Sequence, residues 1–115
     1  MKYEDLDVWK RSYRLAVEIY KEFESCRDFS FKAQITRSAL SVPSNIAEGW
    51  ERYTEQEKHR FLSIAKGSIG ELKTQTLIAI EIDYLTTDVG KMIATEAEEI
   101  SKMLGALMKN LHIKR

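Results

Sequence analysis

"ALSVPSNIAEGWER", residues Ala39 to Arg52, holds the only proline of the chain, Pro43, in a stretch whose apolar residues otherwise keep helical spacing. Whether that proline separates two helices or lies inside one decides how many helices the fold has. As a first helical residue it would make Val42 the N-cap, a chemically poor choice. The residues Ile35, Ala39, Val42 and Ile46 step across it by four, three and four without a change of phase. The stretch therefore reads as one helix, kinked at Pro43. A proline there donates no hydrogen bond, frees the carbonyl of Ala39 and costs about 3 kcal/mol or more unless compensated. Ser41 and Ser44 carry hydroxyls that can compensate, and Gly49 is expected to end the helix in a left-handed conformation.

Working outward, the preceding segment runs from about Asp5 to Glu24. Leu6, Trp9, Tyr13, Ala16, Tyr20 and Phe23 form one wide apolar face, and Val8, Leu15 and Ile19 a second, narrower stripe. Asp28 or Ser30 can cap the proline-bearing helix. Beyond it, Thr54 and Glu57 stand at capping-box spacing, and a long helical pattern follows from Phe61 to about Asp83. A fourth segment opens near Thr87 or Asp88. Its residues Val89, Ile93, Ala97, Ile100, Leu104, Leu107 and Leu111 make a heptad-like seam, and Lys109, Lys114 and Arg115 oppose the helix dipole near its end. No segment alternates with period two between turn signals, so a sheet is not expected. The expectation is an all-α fold, a single domain over residues 1–115: an antiparallel up-and-down four-helix bundle with its second helix kinked at Pro43.

Two features exceed what a bundle needs. In "TLIAIEIDYL" the residues Leu77, Ile78, Ala79, Ile80 and Ile82 point nearly all round the third helix, which asks for neighbours on more than one side. The second stripe on the first helix makes the same demand. A wide core would answer it, but a subunit interface using Val8, Leu15, Ile19, Leu77, Ile78 and Ile82 answers it better. The other feature is polar. Gln34, Arg37, Ser38, Ser41, Ser44, Asn45 and Glu48 share one side of the second helix, and Ser68, Glu71 and Gln75 form a matching set on the third, beside Gly67 and Gly70. Two readings stay open for this face. It is either a half-buried network, such as Glu71 with Arg37 or Asn45 with Ser68, or a solvated docking face.

Composition narrows the function classes. Basic and acidic residues balance at 18 each, which argues against a binder driven mainly by net charge. The single cysteine, Cys26, has no internal partner, and with no secretory pattern a cytoplasmic location is expected; no apolar run is long enough to span a membrane. Di-iron bundles need Glu-x-x-His pairs, but Gln56 and Lys109 stand three residues before His59 and His112. No phosphate-cradling glycine loop, zinc spacing or nucleophile constellation is present. No enzyme activity, metal or cofactor is therefore expected. Two basic clusters keep nucleic acid open as a partner: Lys10, Arg11 and Arg14 on the first helix, and Arg52, Lys58 and Arg60 around the start of the third.

"QITRSALSVPSNIAEGWER" followed by "FLSIAKGSIGELKTQ", after an opening "YEDLDVWKRSYRLAVEIY", resembles the small bacterial four-helix-bundle proteins encoded in intervening sequences of 23S ribosomal RNA genes. The similarity runs over nearly the whole chain. It implies an up-and-down bundle that assembles as a homopentamer. It also implies likeness in fold to the accessory protein of diversity-generating retroelements, whose basic outer surface engages nucleic acid; the neutral charge of this chain departs from that pattern. The expected function is a non-enzymatic homo-oligomeric accessory or adaptor associated with RNA or DNA. The alternative is a protein–protein assembly scaffold that binds no nucleic acid.

Overall fold

The computed structural model describes residues 1–112. Four helices follow a short 3-10 turn at Tyr3–Asp5: α1 (Asp7–Glu22), α2 (Phe29–Trp50), α3 (Glu55–Glu81) and α4 (Thr87–Lys109), with no strand among the described residues. Each helix packs on its neighbours in chain order, and α4 returns to α1, so α1 and α3 are the diagonal pair. This is the expected all-α bundle. Lys114 and Arg115, expected at the end of α4, lie outside the described residues.

The starts of three helices follow from local chemistry. Asp28 accepts from the amide of Phe31, Thr54 from that of Glu57 at 3.1 Å, and Thr86 from that of Val89. Each satisfies one of the amides that a helix leaves unpaired in its first turn. The α3–α4 turn uses Asp83, the only non-glycine residue with positive φ among those described, and Tyr84 and Leu85 donate back to Ala79.

α2 passes through Pro43 and continues to Trp50, so the one-helix reading holds. What the structure establishes is that continuity, not a kink. The Ser41 hydroxyl is engaged by Ser68 and Asn45 rather than by the carbonyl of Ala39. Gly49 does not end the helix, and no glycine has a positive φ. It is buried inside the last turn because a Cβ there would lie 2.9 Å from Cβ of Phe61 on α3. Close approach of two helices, not a left-handed cap, is the reason for a glycine at that position.

The core takes Ile35, Ala39, Val42 and Ile46 from α2, and Leu62, Ala65, Ile69, Leu72 and Ala79 from α3. The expected seam of α4 is buried at Ile93, Ala97, Ile100 and Leu104, with Val89, Leu107 and Leu111 at its edge. The first helix differs from expectation. Val8, Leu15 and Ile19, proposed from sequence for a subunit contact, are buried in the chain's own core, at 4%, 6% and 0% exposure. The supposed core residues Tyr13 and Tyr20 are exposed instead. Aliphatic side chains gain more from the dry interior than tyrosines, whose hydroxyls would need buried partners. The buried side of α1 thus combines the narrower stripe with Ala16 and Phe23 of the wider face, and only the two tyrosines of that face turn outward.

Candidate interaction surfaces

The polar side of α2 meets that of α3 along one seam, half-buried at its centre. Ser41 and Ser68 share a hydrogen bond of 2.8 Å, and the Asn45 amide donates to both the carbonyl and the hydroxyl of Ser41. Ser38, buried, donates to Glu71 at 2.9 Å and also lies within reach of the carbonyl of Gln34. A network therefore exists, with partners different from those named from sequence. Glu71 meets Ser38 rather than Arg37, and Asn45 reaches Ser68 only through Ser41. Arg37 is exposed, and Glu48 turns along its own helix to Arg52 at 3.6 Å. Gln75 buries its Oε1 with no hydrogen-bond partner among the described residues.

Beside this seam α3 presents an apolar outer face. Ile64, Leu77, Ile78 and Ile82 are 42–47% exposed, although each is a large aliphatic residue in the interior of a long helix or at its cap. Gly67 and Gly70 lie among them, and a Cβ on either would meet nothing within 4 Å. Leu77, Ile78 and Ile82 are thus the members of the sequence-derived interface set that remain on the surface. Tyr13, Val17, Tyr20, Leu40, Phe29 and Met92 are further exposed apolar residues elsewhere.

The basic residues divide into two separate groups. On α1, Lys10 and Arg14 are exposed, while Arg11 is held by Glu96 of α4 at 2.9 Å through Nε, in a two-pronged pair. Hydrogen bonding to Glu96 raises the already high pKa of Arg11, with burial acting against it. Around the α2–α3 turn, Arg52 and Arg60 both lie over the ring of Phe61, at 4.9 and 5.4 Å, and Lys58 lies over Trp50 while donating to its carbonyl. Tyr53, in the same turn, is fully exposed. Glu48 pairs with Arg52 at 3.6 Å, and Glu51, Glu55 and Glu57 are neighbours of these cations in sequence. Arg11, engaged by a residue 85 positions away, and Arg52, paired with Glu48, show why clustering in sequence overstates free charge.

Between α1 and α4 the bundle closes loosely, leaving an open groove of about 700 Å³ with Leu15, Val89 and Ile93 on its floor and Arg11, Arg14 and Glu18 on its rim. At the opposite pole from the α2–α3 turn, Asp28 accepts from the Tyr84 hydroxyl at 2.7 Å, tying the α1–α2 and α3–α4 connections. The Phe31 amide, and then Tyr84, hold the Asp28 carboxyl below its usual range, and the same bond raises the phenol of Tyr84. Cys26 nearby is half-buried, its thiol 3.7 Å from the carbonyl of Asp28. Among the described residues no three His, Cys, Asp or Glu side chains come together as a metal site would require, and no helix is long and apolar enough to cross a membrane.

The family model described as "23S rRNA-intervening sequence protein" matches residues 4–106. Among solved structures, the chain is similar to a protein of unknown function from the S23 ribosomal protein family of Bacteroides thetaiotaomicron. Identity is 27% and the TM-score 0.84, over 90% of this chain and 99% of that one. No curated protein matches.

Proposed function

The chain belongs to the 23S rRNA-intervening sequence protein family, and from that premise we propose that it is a non-enzymatic accessory module that works as an assembly of its own copies. The observation that carries this reading is the outer face of α3. Four large aliphatic residues stand nearly half exposed there, around two helical glycines with open space above them. Glycine inside a helix costs up to about 1 kcal/mol against alanine, so an uncovered pair is expected to serve a close contact. Large aliphatic residues left exposed along one helix suit a contact site. Five copies is the number that the family resemblance implies. Asp28, whose carboxyl is held low, caps a helix, and Arg11 pairs across the α1–α4 seam.

Replacing Ile78 or Ile82 by Asp tests the reading, because a charge at a dry contact is strongly unfavourable and the same charge on a wet surface is not. Light scattering after gel filtration should give a larger particle for the natural chain and single, still helical subunits for the variants. Unchanged particle mass in both variants would remove α3 from the contact.

A second reading, association with RNA or DNA, is favoured by Arg52 and Arg60 flanking Phe61 beside the exposed Tyr53. Cations next to an exposed ring suit a single strand whose bases stack. In one such turn Glu48 already pairs with Arg52, but several copies in one assembly would add avidity. Fluorescence polarisation with single-stranded and structured RNA across a salt series is the test. Binding that falls steeply with salt and is lost in Arg52→Glu/Arg60→Glu would support it. Absence of binding at low salt would leave the protein-only scaffold.

A further inference from the structure

α1 and α3 are the diagonal pair of the bundle, each packed on α2 and α4 and neither on the other, so their outer faces point in opposite directions. The two faces are complementary. α1 exposes Tyr13, Val17 and Tyr20, with Lys10, Arg14 and Lys21 alongside; all three cations are exposed and in no ion pair among the described residues. α3 exposes Ile64, Ile78 and Ile82 around Gly67 and Gly70, with Glu71 and Glu81 as its carboxylates. One face carries bulky rings and three cations, with Glu18 one turn from Arg14; the other carries small residues, aliphatic side chains and two carboxylates, with Arg60 at its far end.

Lengths and directions agree as well. Lys10 and Lys21 are eleven residues apart and Glu71 and Glu81 ten, so at 1.5 Å per residue the charges span about 17 and about 15 Å. α1 and α3 run the same way and end at the same pole, where Phe23 meets Phe31 and Phe31 meets Tyr84. Counting back from that pole, Tyr13 falls level with the Gly70 region and Tyr20 level with Ile78.

We propose that copies of this chain join head to tail, the outer face of α1 on one copy seated on the outer face of α3 of the next. Tyr13 enters the space above Gly67 and Gly70, Tyr20 lies against Ile78, and Lys10, Arg14 and Lys21 face Glu71 and Glu81. The inference rests on the self-association reading above and adds which two surfaces meet. A symmetric α3-on-α3 contact with the helices parallel would instead bring the carboxylates of Glu71 and Glu81 against their own copies, and like charges across an interface are costly. Because each copy offers two different faces, the contact is heterologous. It closes into a ring, or runs on, according to the rotation between neighbours, and it leaves the outer surfaces of α2 and α4 free for other partners.

The test uses two charge-reversed forms of the full chain, Lys10→Glu/Arg14→Glu/Lys21→Glu and Glu71→Lys/Glu81→Lys. Sedimentation velocity at tens of micromolar would follow mass, and circular dichroism would follow helix content. Each form alone should be helical and weakened in association by at least about tenfold. An equimolar mixture should assemble again, because each reversed face then meets a complementary one. A natural chain that assembles while the α1 form keeps its full mass, or while the mixture stays dissociated, would overturn the head-to-tail contact and leave self-association standing. A natural chain that sediments as single subunits would overturn both. Should a charge-reversed form fail to fold, Tyr13→Cys and Gly67→Cys, each in a Cys26→Ser background, replace it. A short bis-maleimide should then join subunits in the mixture of the two and in neither alone; no cross-link in the mixture would overturn the proposal.

Discussion

Gly49 and Gly90 lie in helices where a neighbour has come too close for a side chain; Gly67 and Gly70 lie in a helix where nothing has come at all. A Cβ at Gly49 would meet the Cβ of Phe61, and one at Gly90 would meet the side chain of Ile80, both well inside contact distance. The other two positions are open. The intrinsic penalty for glycine in a helix is the same at all four. At the first pair the fold itself explains it. At the second pair the explanation has to lie outside the single chain, on the same face that leaves Ile64, Ile78 and Ile82 exposed. The α2–α3 and α3–α4 seams are therefore tightly closed at these points, and the outer side of α3 is bare.

The sharpest way to break this comparison is to fill one glycine of each kind. Gly49→Val should lower stability by about 1–3 kcal/mol, as overpacked positions do, because the backbone and Cβ of α3 cannot move aside as a flexible side-chain end would. Chemical denaturation followed by circular dichroism measures it. Gly67→Leu should leave the helix intact, with an intrinsic gain of up to about 1 kcal/mol, and should lower the mass of the assembled particle. Unaltered mass in Gly67→Leu would mean that the open side of α3 is simply solvated.

The polar seam sharpens the comparison at a smaller scale. Glu71→Ala should cost about 0.5–1.5 kcal/mol. The loss stays at that level because Ser38 retains the carbonyl of Gln34 as an acceptor and is not left unsatisfied. Combining Ser38→Ala with Glu71→Ala should then cost little more than either change alone, and additive losses in that cycle would show that the pair is not coupled.

Much of the fold was legible in the sequence because its signals are local. Caps at Asp28 and Thr54, the steady phase across Pro43 and the seam of α4 all depend on residues within a few turns of one another. The rotation of α1 was not legible in that way. Counting tyrosine as apolar made Tyr13 and Tyr20 look like core, and only packing against α2 and α4 gave the interior to Val8, Leu15 and Ile19. Gly49 misled for a related reason: a glycine near a helix end fits both a left-handed cap and a close helix crossing, and Phe61, which decides between them, lies on another helix. Cross-helix partners were equally hidden. Glu96 for Arg11 and Glu98 for Lys73 depend on helix register, which no short stretch encodes. Clustering in sequence points to Arg52, Lys58 and Arg60 but says nothing of the pairing that ties Arg52 to Glu48 or the rings that Lys58 and Arg60 lie over.

The smallest expected effect belongs to the pole that ties the two short connections. The Asp28 carboxyl is held below its ordinary range, so it favours the folded state at neutral pH. That contribution is lost as pH falls through the depressed value, below about pH 4. Asp28→Asn should therefore lower the melting temperature at pH 7, and the gap from the natural chain should close in acid. The phenol of Tyr84 is shifted the other way. Its contribution is present below the ordinary tyrosine range and is lost as pH rises through the raised value, so Tyr84→Phe should differ least from the natural chain in strong alkali. A gap for Asp28→Asn that does not change with pH would assign its effect to the helix cap and not to charge.

The most direct measurement on the central claim is the mass of the natural chain by native mass spectrometry, from a salt solution near neutral pH and at micromolar concentration. An outer face of α3 built for a second copy predicts a discrete particle at an integer multiple of the 13.4 kDa subunit. A spectrum of 13.4 kDa subunits alone, unchanged as concentration is raised, would contradict it.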